Sequence, residues 1–161
     1  MLKSNYGYWD VIIEKSGRMK LPAPLLKQLP EDDRTTFFVT RGFGSYISLW
    51  TNSSYQEQIT YLDTLDYNII ENRVYRNAFL KNLVAIECDT QNRFMIPRSL
   101  IEYYKIDRNV VLILSKGQIE IWSQESYDEQ FDLTPEDFAK LNEKISINSR
   151  KKEEGANDQL S

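Results

Sequence analysis

Hydrophobic and polar positions change over in short runs along this chain, and a turn signal cuts each run. Residues 8–21 and 83–96 hold β-branched, aromatic and aliphatic positions interrupted by Ser16-Gly17 and by Gln91-Asn92, residue types that suit a tight turn or bulge where positive φ is needed. Each stretch predicts two short strands with a turn between them. Pro22 and Pro24, and Pro97 in the second stretch, suit the first turn of a helix, where a missing N–H costs nothing. Leu25, Leu26 and Leu29, matched by Leu100, Ile101 and Tyr104, then fill one helical face. Residues 37–40 and 46–50 bracket Arg41-Gly42-Phe43-Gly44, residues 110–114 and 118–122 bracket Ser115-Lys116-Gly117, and both pairs predict β-hairpins. A capping-box pattern follows each hairpin, Ser54 to Glu57 and Ser126 to Glu129. A longer helical segment follows the first, with Asn68 and Glu71 as a second box and Ile70, Val74 and Phe79 roughly along one face. Thr134-Pro135-Glu136-Asp137 opens a final helix ending near Ile147, and residues 148–161, almost without apolar side chains, predict a disordered tail.

These elements occur twice. Ser16-Gly17-Arg18-Met19 onward aligns with Gln91-Asn92-Arg93-Phe94 onward at a constant shift of 75, matching Arg18 with Arg93, Pro22 with Pro97 and Leu25 with Leu100. Further on, Ile47-Ser48-Leu49-Trp50 aligns with Ile119-Glu120-Ile121-Trp122 at a shift of 72. The three-residue difference is assigned to the hairpin tip, where an insertion is tolerated. The chain thus divides into a first repeat (5–60), a helical connector (61–82), a second repeat (83–131), a C-terminal helix (132–147) and the tail (148–161). A repeat of about 50 residues buries little core alone, so the two are expected to pack on one another about a pseudo-twofold axis. Hairpin edges left over need cover from the sister repeat or from another subunit.

Composition narrows the function. With 161 residues, 41% hydrophobic and 27% charged, the chain is expected to be one ordinary domain or two very small ones, and disorder throughout is excluded. No apolar run approaches the roughly 18 to 20 residues of a membrane helix, and the N-terminal residues lack a signal-peptide pattern, so a cytoplasmic protein with no membrane partner is expected. Cys88 is the single cysteine and histidine is absent, which weakens disulfide, zinc, general-base and pH-switch readings together. The net charge of −4 argues mildly against a nucleic-acid partner, but it hides an asymmetry: residues 125–137 carry six acidic side chains and no basic one, while residues 1–25 carry four basic against two acidic. One face can still be basic.

The pattern Glu14-Lys15-Ser16-Gly17-Arg18-Met19-Lys20-Leu21-Pro22, its copy Asp89-Thr90-Gln91-Asn92-Arg93-Phe94-Met95-Ile96-Pro97, and the two aliphatic-Trp strand endings together resemble the MraZ family. That resemblance covers about residues 5 to 131. It implies a mainly β fold with short helices: two tandem AbrB/MraZ-like swapped-hairpin repeats packed as a pseudo-twofold double-split β-barrel, each with a D-x-x-x-R signature. It further implies a transcriptional regulator, expected to repress, that binds double-stranded DNA at direct repeats upstream of the division and cell-wall gene cluster. A ring-shaped homo-oligomer associated with the nucleoid is implied too, with no cofactor or metal and no catalytic activity. Arg18 and Arg93 carry over as the motif arginines, with Lys15 and Lys20 as nearby candidates in the first unit only. A guanidinium suits phosphate, or guanine O6 and N7.

Two positions depart from the pattern. Glu14 stands for the first signature's Asp, and its longer side chain is not expected to cap the turn in the same way. Asn92 stands for a Gly and tolerates left-handed backbone. Thr90 and Met95 replace the cations Lys15 and Lys20, so the first unit is expected to contribute more to DNA contact. Against these readings, Arg18 and Arg93 can instead pair with Glu14 and Asp89 across their turns, Lys15 and Lys20 can be solvated edge charges, and Trp50 and Trp122 read as core or interface anchors and not as base-stacking platforms. Cys88 reads as a buried bystander. The acidic run at 125–137 reads as a solvated helix face. An AbrB-type antitoxin that binds DNA and masks a toxin is the alternative function. An enzyme ranks last, since the chain has no phosphate loop, metal-ligand spacing or activated nucleophile.

Overall fold

A computed structural model describes residues 5–160; residues 1–4, which belong to the N-terminal stretch without a leader pattern, and Ser161 of the expected tail lie outside the described residues. The first repeat consists of β1 (Tyr6–Ile12), β2 (Arg18–Lys20), α1 (Ala23–Gln28), a 3-10 turn at Glu31–Asp33, β3 (Thr36–Arg41) and β4 (Ile47–Thr51). Helices α2 (Asn52–Asp63) and α3 (Ile70–Lys81) connect it to β5 (Val84–Glu87), β6 (Arg93–Met95), α4 (Arg98–Tyr103), β7 (Asn109–Ser115) and β8 (Gln118–Ser123). Helices α5 (Gln124–Phe131) and α6 (Pro135–Leu160) complete the chain.

The duplication appears directly in strand order. A six-stranded antiparallel sheet runs β1-β7-β8-β4-β3-β5, and exchanging each strand for its counterpart in the other repeat reverses that order without altering it. β1 of the first repeat pairs with β7 of the second, while β5 pairs with β3, so each repeat lends its leading strand to the other. Two registers mark the pseudo-twofold axis: Ser48 faces Glu120 across β4 and β8, and Met19 faces Phe94 across β2 and β6. The pairs are repeat equivalents.

Side-chain size explains why the repeats do not separate. Met19, Leu21 and Leu25 from the first, with Phe94, Ile96 and Leu100 from the second, are all at most 3% exposed in one shared core, and each such side chain contributes about 1.5–3 kcal/mol on burial. Accordingly the chain up to Tyr127 forms a single compact unit that contains the first repeat, the connector and all the strands of the second repeat. A smaller cluster of Trp50, Leu62 and Phe79 binds the connector helices to β3 and β4, and the buried Thr40 hydroxyl donates to the Phe79 carbonyl near the end of α3 at 2.8 Å. Trp50 and Trp122, both 2% exposed, are core anchors.

Several expectations need correction. The chain is mixed rather than mainly β, 46% helical and 26% strand, and no closed barrel forms among the described residues. The connector helices and α6 account for the difference. The insertion is also divided: Val39 faces Leu49 as Leu112 faces Ile121, so two extra residues lie in the 3-10 turn before β3 and only one at the hairpin tip. The caps sit three residues earlier than the boxes at Ser54 and Ser126 suggest, because Thr51 Oγ1 and Ser123 Oγ accept the backbone N–H groups of Ser54 and Ser126 at 3.2 and 3.1 Å. Thr134 does cap α6, accepting from Asp137 N at 3.1 Å.

The second compact unit begins at Asp128 and consists mainly of α6. That helix does not end near Ile147 but continues to Leu160, so the segment read as a disordered tail is helical. Arg150 to Glu154, with Ala156, are strong helix formers, and they carry the helix past weaker positions at Asn148, Ser149, Gly155, Asn157 and Asp158. Its residues 148–159 are exposed throughout. Deleting residues 148–161 should therefore leave the melting temperature within about 2 °C of the full chain by scanning fluorimetry; a larger fall would show that this stretch is docked.

Candidate nucleic-acid interface

β2 and β6 form a two-stranded antiparallel ribbon apart from the main sheet. Because side chains alternate across a strand, the burial of Met19 and Phe94 beneath the ribbon sends Arg18, Lys20, Arg93 and Met95 to its outer face. Arg18 stands opposite Met95 and Lys20 opposite Arg93. The signatures of the two repeats, 75 residues apart in sequence, thus build one cationic face rather than two. Directly opposed like charges destabilise a strand pair. A polyanion laid across them removes that cost.

The ribbon is extended at both ends by matching bonds, Ile96 N to Gly17 O at 3.0 Å and Leu21 N to Asn92 O at 2.9 Å. Both accepting residues occupy the left-handed region, Gly17 at φ 90° and Asn92 at φ 62°, so Asn92 performs the turn expected of it. At Gly17 a Cβ would lie 2.9 Å from Ile101 Cδ1 and 3.3 Å from the Ile96 carbonyl oxygen. Glycine is required there by space as well as by backbone.

The two turns differ in how they treat their arginines. Asp89 Oδ1 accepts from the backbone N–H of Gln91 at 2.8 Å and of Arg93 at 2.9 Å, while its Oδ2 holds Arg93 Nε at 3.3 Å. The backbone N–H of Arg93, more than its guanidinium charge, keeps the Asp89 carboxyl below the usual range. With the folded value depressed, the turn's stabilisation is present above the unfolded carboxylate pKa and is lost as pH falls through the folded one. Glu14 makes no such cap among the described residues. Its turn is closed by backbone bonds, Glu14 N to Arg18 O and Gly17 N to Glu14 O, each at 2.9 Å, with the Ser16 hydroxyl oxygen accepting from Arg18 N at 3.4 Å. The ion-pair reading therefore holds for Arg93, while Arg18 keeps an uncommitted guanidinium among the described residues.

Lys15 and Lys20 are separated. Lys20 stands on the ribbon face, but Lys15 lies on the turn, where it lines a cavity of about 640 Å³ together with Glu14, Arg98, Glu102 and Arg108. Arg98 carries no signal in the sequence because its equivalent is Ala23 and no motif spans it. Its Nε reaches Glu102 at 3.3 Å in an exposed pair. Cys88 is inert in this setting: burial first, and then the charge of Asp89, push its thiol up to about 11.

An internally duplicated swapped-hairpin protein with its cations gathered on a ribbon at the pseudo-twofold axis is the class this geometry defines. A family model described as "MraZ protein, putative antitoxin-like" matches residues 79–148. Along most of its length the chain is also similar to proteins called transcriptional regulator MraZ. It is 28% identical to that of Cytophaga hutchinsonii over 145 residues, covering 90% of this chain and 96% of the relative. It is 28% identical to that of a Thermoanaerobacter species over 139 residues, 86% and 94%, and 29% identical to that of Ureaplasma urealyticum over 143 residues, 88% and 97%. The family model and these relatives together make the chain similar to MraZ proteins along most of its length.

Proposed function

We propose that this protein is a sequence-specific DNA-binding transcriptional regulator that reads duplex DNA with the β2–β6 ribbon. The observation that carries the reading is the register of Lys20 against Arg93, which gathers the cations of both repeats on one exposed face. A two-stranded ribbon fits the major groove, and Arg18 is the side chain free to reach a base edge. The similar proteins called transcriptional regulator MraZ support regulation as the role.

The reading extends to direct repeats upstream of the division and cell-wall gene cluster, to repression, to a cytoplasmic and nucleoid-associated location, and to the split-barrel description of the fold, which the mirrored strand order supports. It assigns no cofactor, metal or catalysis. Among the described residues no helix is long and apolar enough to cross a membrane. Fluorescence anisotropy with the DNA upstream of the chain's own gene tests it: binding should be saturable, tighter than to scrambled DNA at matched salt, and weakened as salt rises. Equal affinity for both duplexes would reject sequence-specific recognition.

A ring-shaped homo-oligomer is also part of the proposal. β1 and β5 are the two edges of the six-stranded sheet, and edges of this kind invite pairing with another copy. Light scattering at micromolar concentration should give a mass above twice 19.0 kDa; a monomer mass would reject assembly. The family description "antitoxin-like" keeps one second reading open. A toxin gene beside this one would favour it.

A further inference from the structure

The two repeats close one junction and leave its counterpart open. On one side of the axis the tip of the β7–β8 hairpin is sealed against the start of α2: Gly117 O accepts from Thr51 N at 3.2 Å and from Ser54 Oγ at 2.7 Å. The ladder there runs out to Trp50 opposite Gln118. On the other side the ladder ends at Ile47 opposite Ile121, one pair short. The longer tip of the β3–β4 hairpin leaves a cleft of about 320 Å³, lined by Arg41, Ser45, Tyr103, Tyr104, Lys105 and Ser126 and by no acidic side chain.

We propose that this cleft is a binding site for a phosphoryl anion, apart from the ribbon and independent of the DNA reading. Three of its residues have no polar counterpart in the sealed junction, where Leu114, Leu29 and Pro30 stand for Arg41, Tyr104 and Lys105. Neither Arg41 nor Lys105 forms an ion pair among the described residues. The Arg41 guanidinium lies over the Tyr103 ring, 5.8 Å from its centroid, which orients a rigid fork of donors suited to phosphate. Tyr104 is 8% exposed and its hydroxyl is buried without a hydrogen-bond partner. Both polar groups beside it, the Gly42 N–H, which is committed to Tyr46 O at 3.0 Å, and the Arg41 guanidinium, can only donate, so the hydroxyl hydrogen lacks an acceptor, which an anion oxygen would supply. Burial raises the Tyr104 pKa, which keeps the hydroxyl protonated as a donor. Lys105 sits at φ 53°, a left-handed backbone that lysine adopts reluctantly. Glu125 lies in an adjoining cleft, which Lys105 also lines.

Inorganic pyrophosphate, titrated by calorimetry against the full chain with potassium chloride matching ionic strength, is the probe. Saturable binding is expected, weakened about tenfold or more by Arg41→Leu, which installs the sealed junction's residue, and about tenfold by Tyr104→Phe. Tyr104→Phe removes an orphan donor, so the melting temperature without ligand should not fall. Arg18→Ala should leave pyrophosphate affinity unchanged, which separates this site from the ribbon. If Arg41→Leu fails to fold, Lys105→Asn removes a charge while tolerating the left-handed backbone. The anion's source is read from DNA: for a backbone phosphate, Arg41→Leu flattens the salt dependence by about one unit of slope and pyrophosphate competes with duplex. For a small phosphorylated molecule, the slope is unchanged and pyrophosphate binds the DNA-loaded protein. Pyrophosphate affinity and salt slope both indifferent to Arg41 and Lys105 would overturn the site.

Discussion

Arg18→Ala should weaken binding to the upstream DNA by about 1–3 kcal/mol for each base edge the guanidinium reads, and by more than Arg93→Ala. The asymmetry follows from the turns. Arg93 is already bonded to Asp89 through its Nε at 3.3 Å, so part of its donor set is spent before DNA arrives, whereas Arg18 faces Met95 and is free to reorient. Lys20→Ala should behave differently, lowering affinity for all duplexes alike and flattening the salt dependence by about one unit of slope, as expected for a side chain that neutralises a phosphate. Lys15→Ala should have the smallest effect of the four, because its turn lies off the ribbon face. Each variant must first match the parent in circular dichroism and oligomeric mass. Unchanged upstream-DNA affinity in a well-folded Arg18→Ala protein, at matched salt, would remove the ribbon from the site.

The sequence disclosed the repeat and its turns but not how the turns meet. Glycine, proline and apolar spacing are local signals, and they located β2, α1, β6 and α4 because each element's conformation follows from its own residues. The register that places Lys20 beside Arg93 is a contact between repeats, and no local pattern encodes it. The pseudo-twofold turns two weak signatures into one cationic face, an adjacency that comparing one unit with the other along the sequence does not reveal. Arg41, Tyr104 and Lys105 were invisible for a related reason: they lie at the ends of two elements far apart in sequence, β3 and α4, and each looks ordinary where a polar or aromatic side chain is unremarkable. A signal was available in the alignment, since Leu29 and Pro30 turn into Tyr104 and Lys105 in the second copy. The caps were displaced because the serines at 54 and 126 mimic a box while Thr51 and Ser123 supply the oxygen.

The largest loss of stability should come from the two side chains on the axis beneath the ribbon. Met19 and Phe94 face each other across β2 and β6 and are 1% and 3% exposed. They are the only inward residues of two three-residue strands, so the ribbon has no other anchor of its own. Phe94→Ala should cost about 3–5 kcal/mol and Met19→Ala about 2–5 kcal/mol, the transfer loss being increased by the cavity left behind. Because the two side chains touch one another's environment across a single strand pair, the double variant should fall short of the sum. Urea denaturation at fixed protein concentration measures this, with the midpoint shifted and the slope unchanged if the native fold is otherwise kept. The same variants should lose DNA affinity at urea concentrations where the main sheet remains folded, since the cations of Arg18, Lys20 and Arg93 depend on these two anchors for their common face. A loss below about 1 kcal/mol in both single variants, well under the range for a truncated core side chain, would mean that the ribbon is held by its backbone bonds to Gly17 and Asn92 and not by the core beneath it.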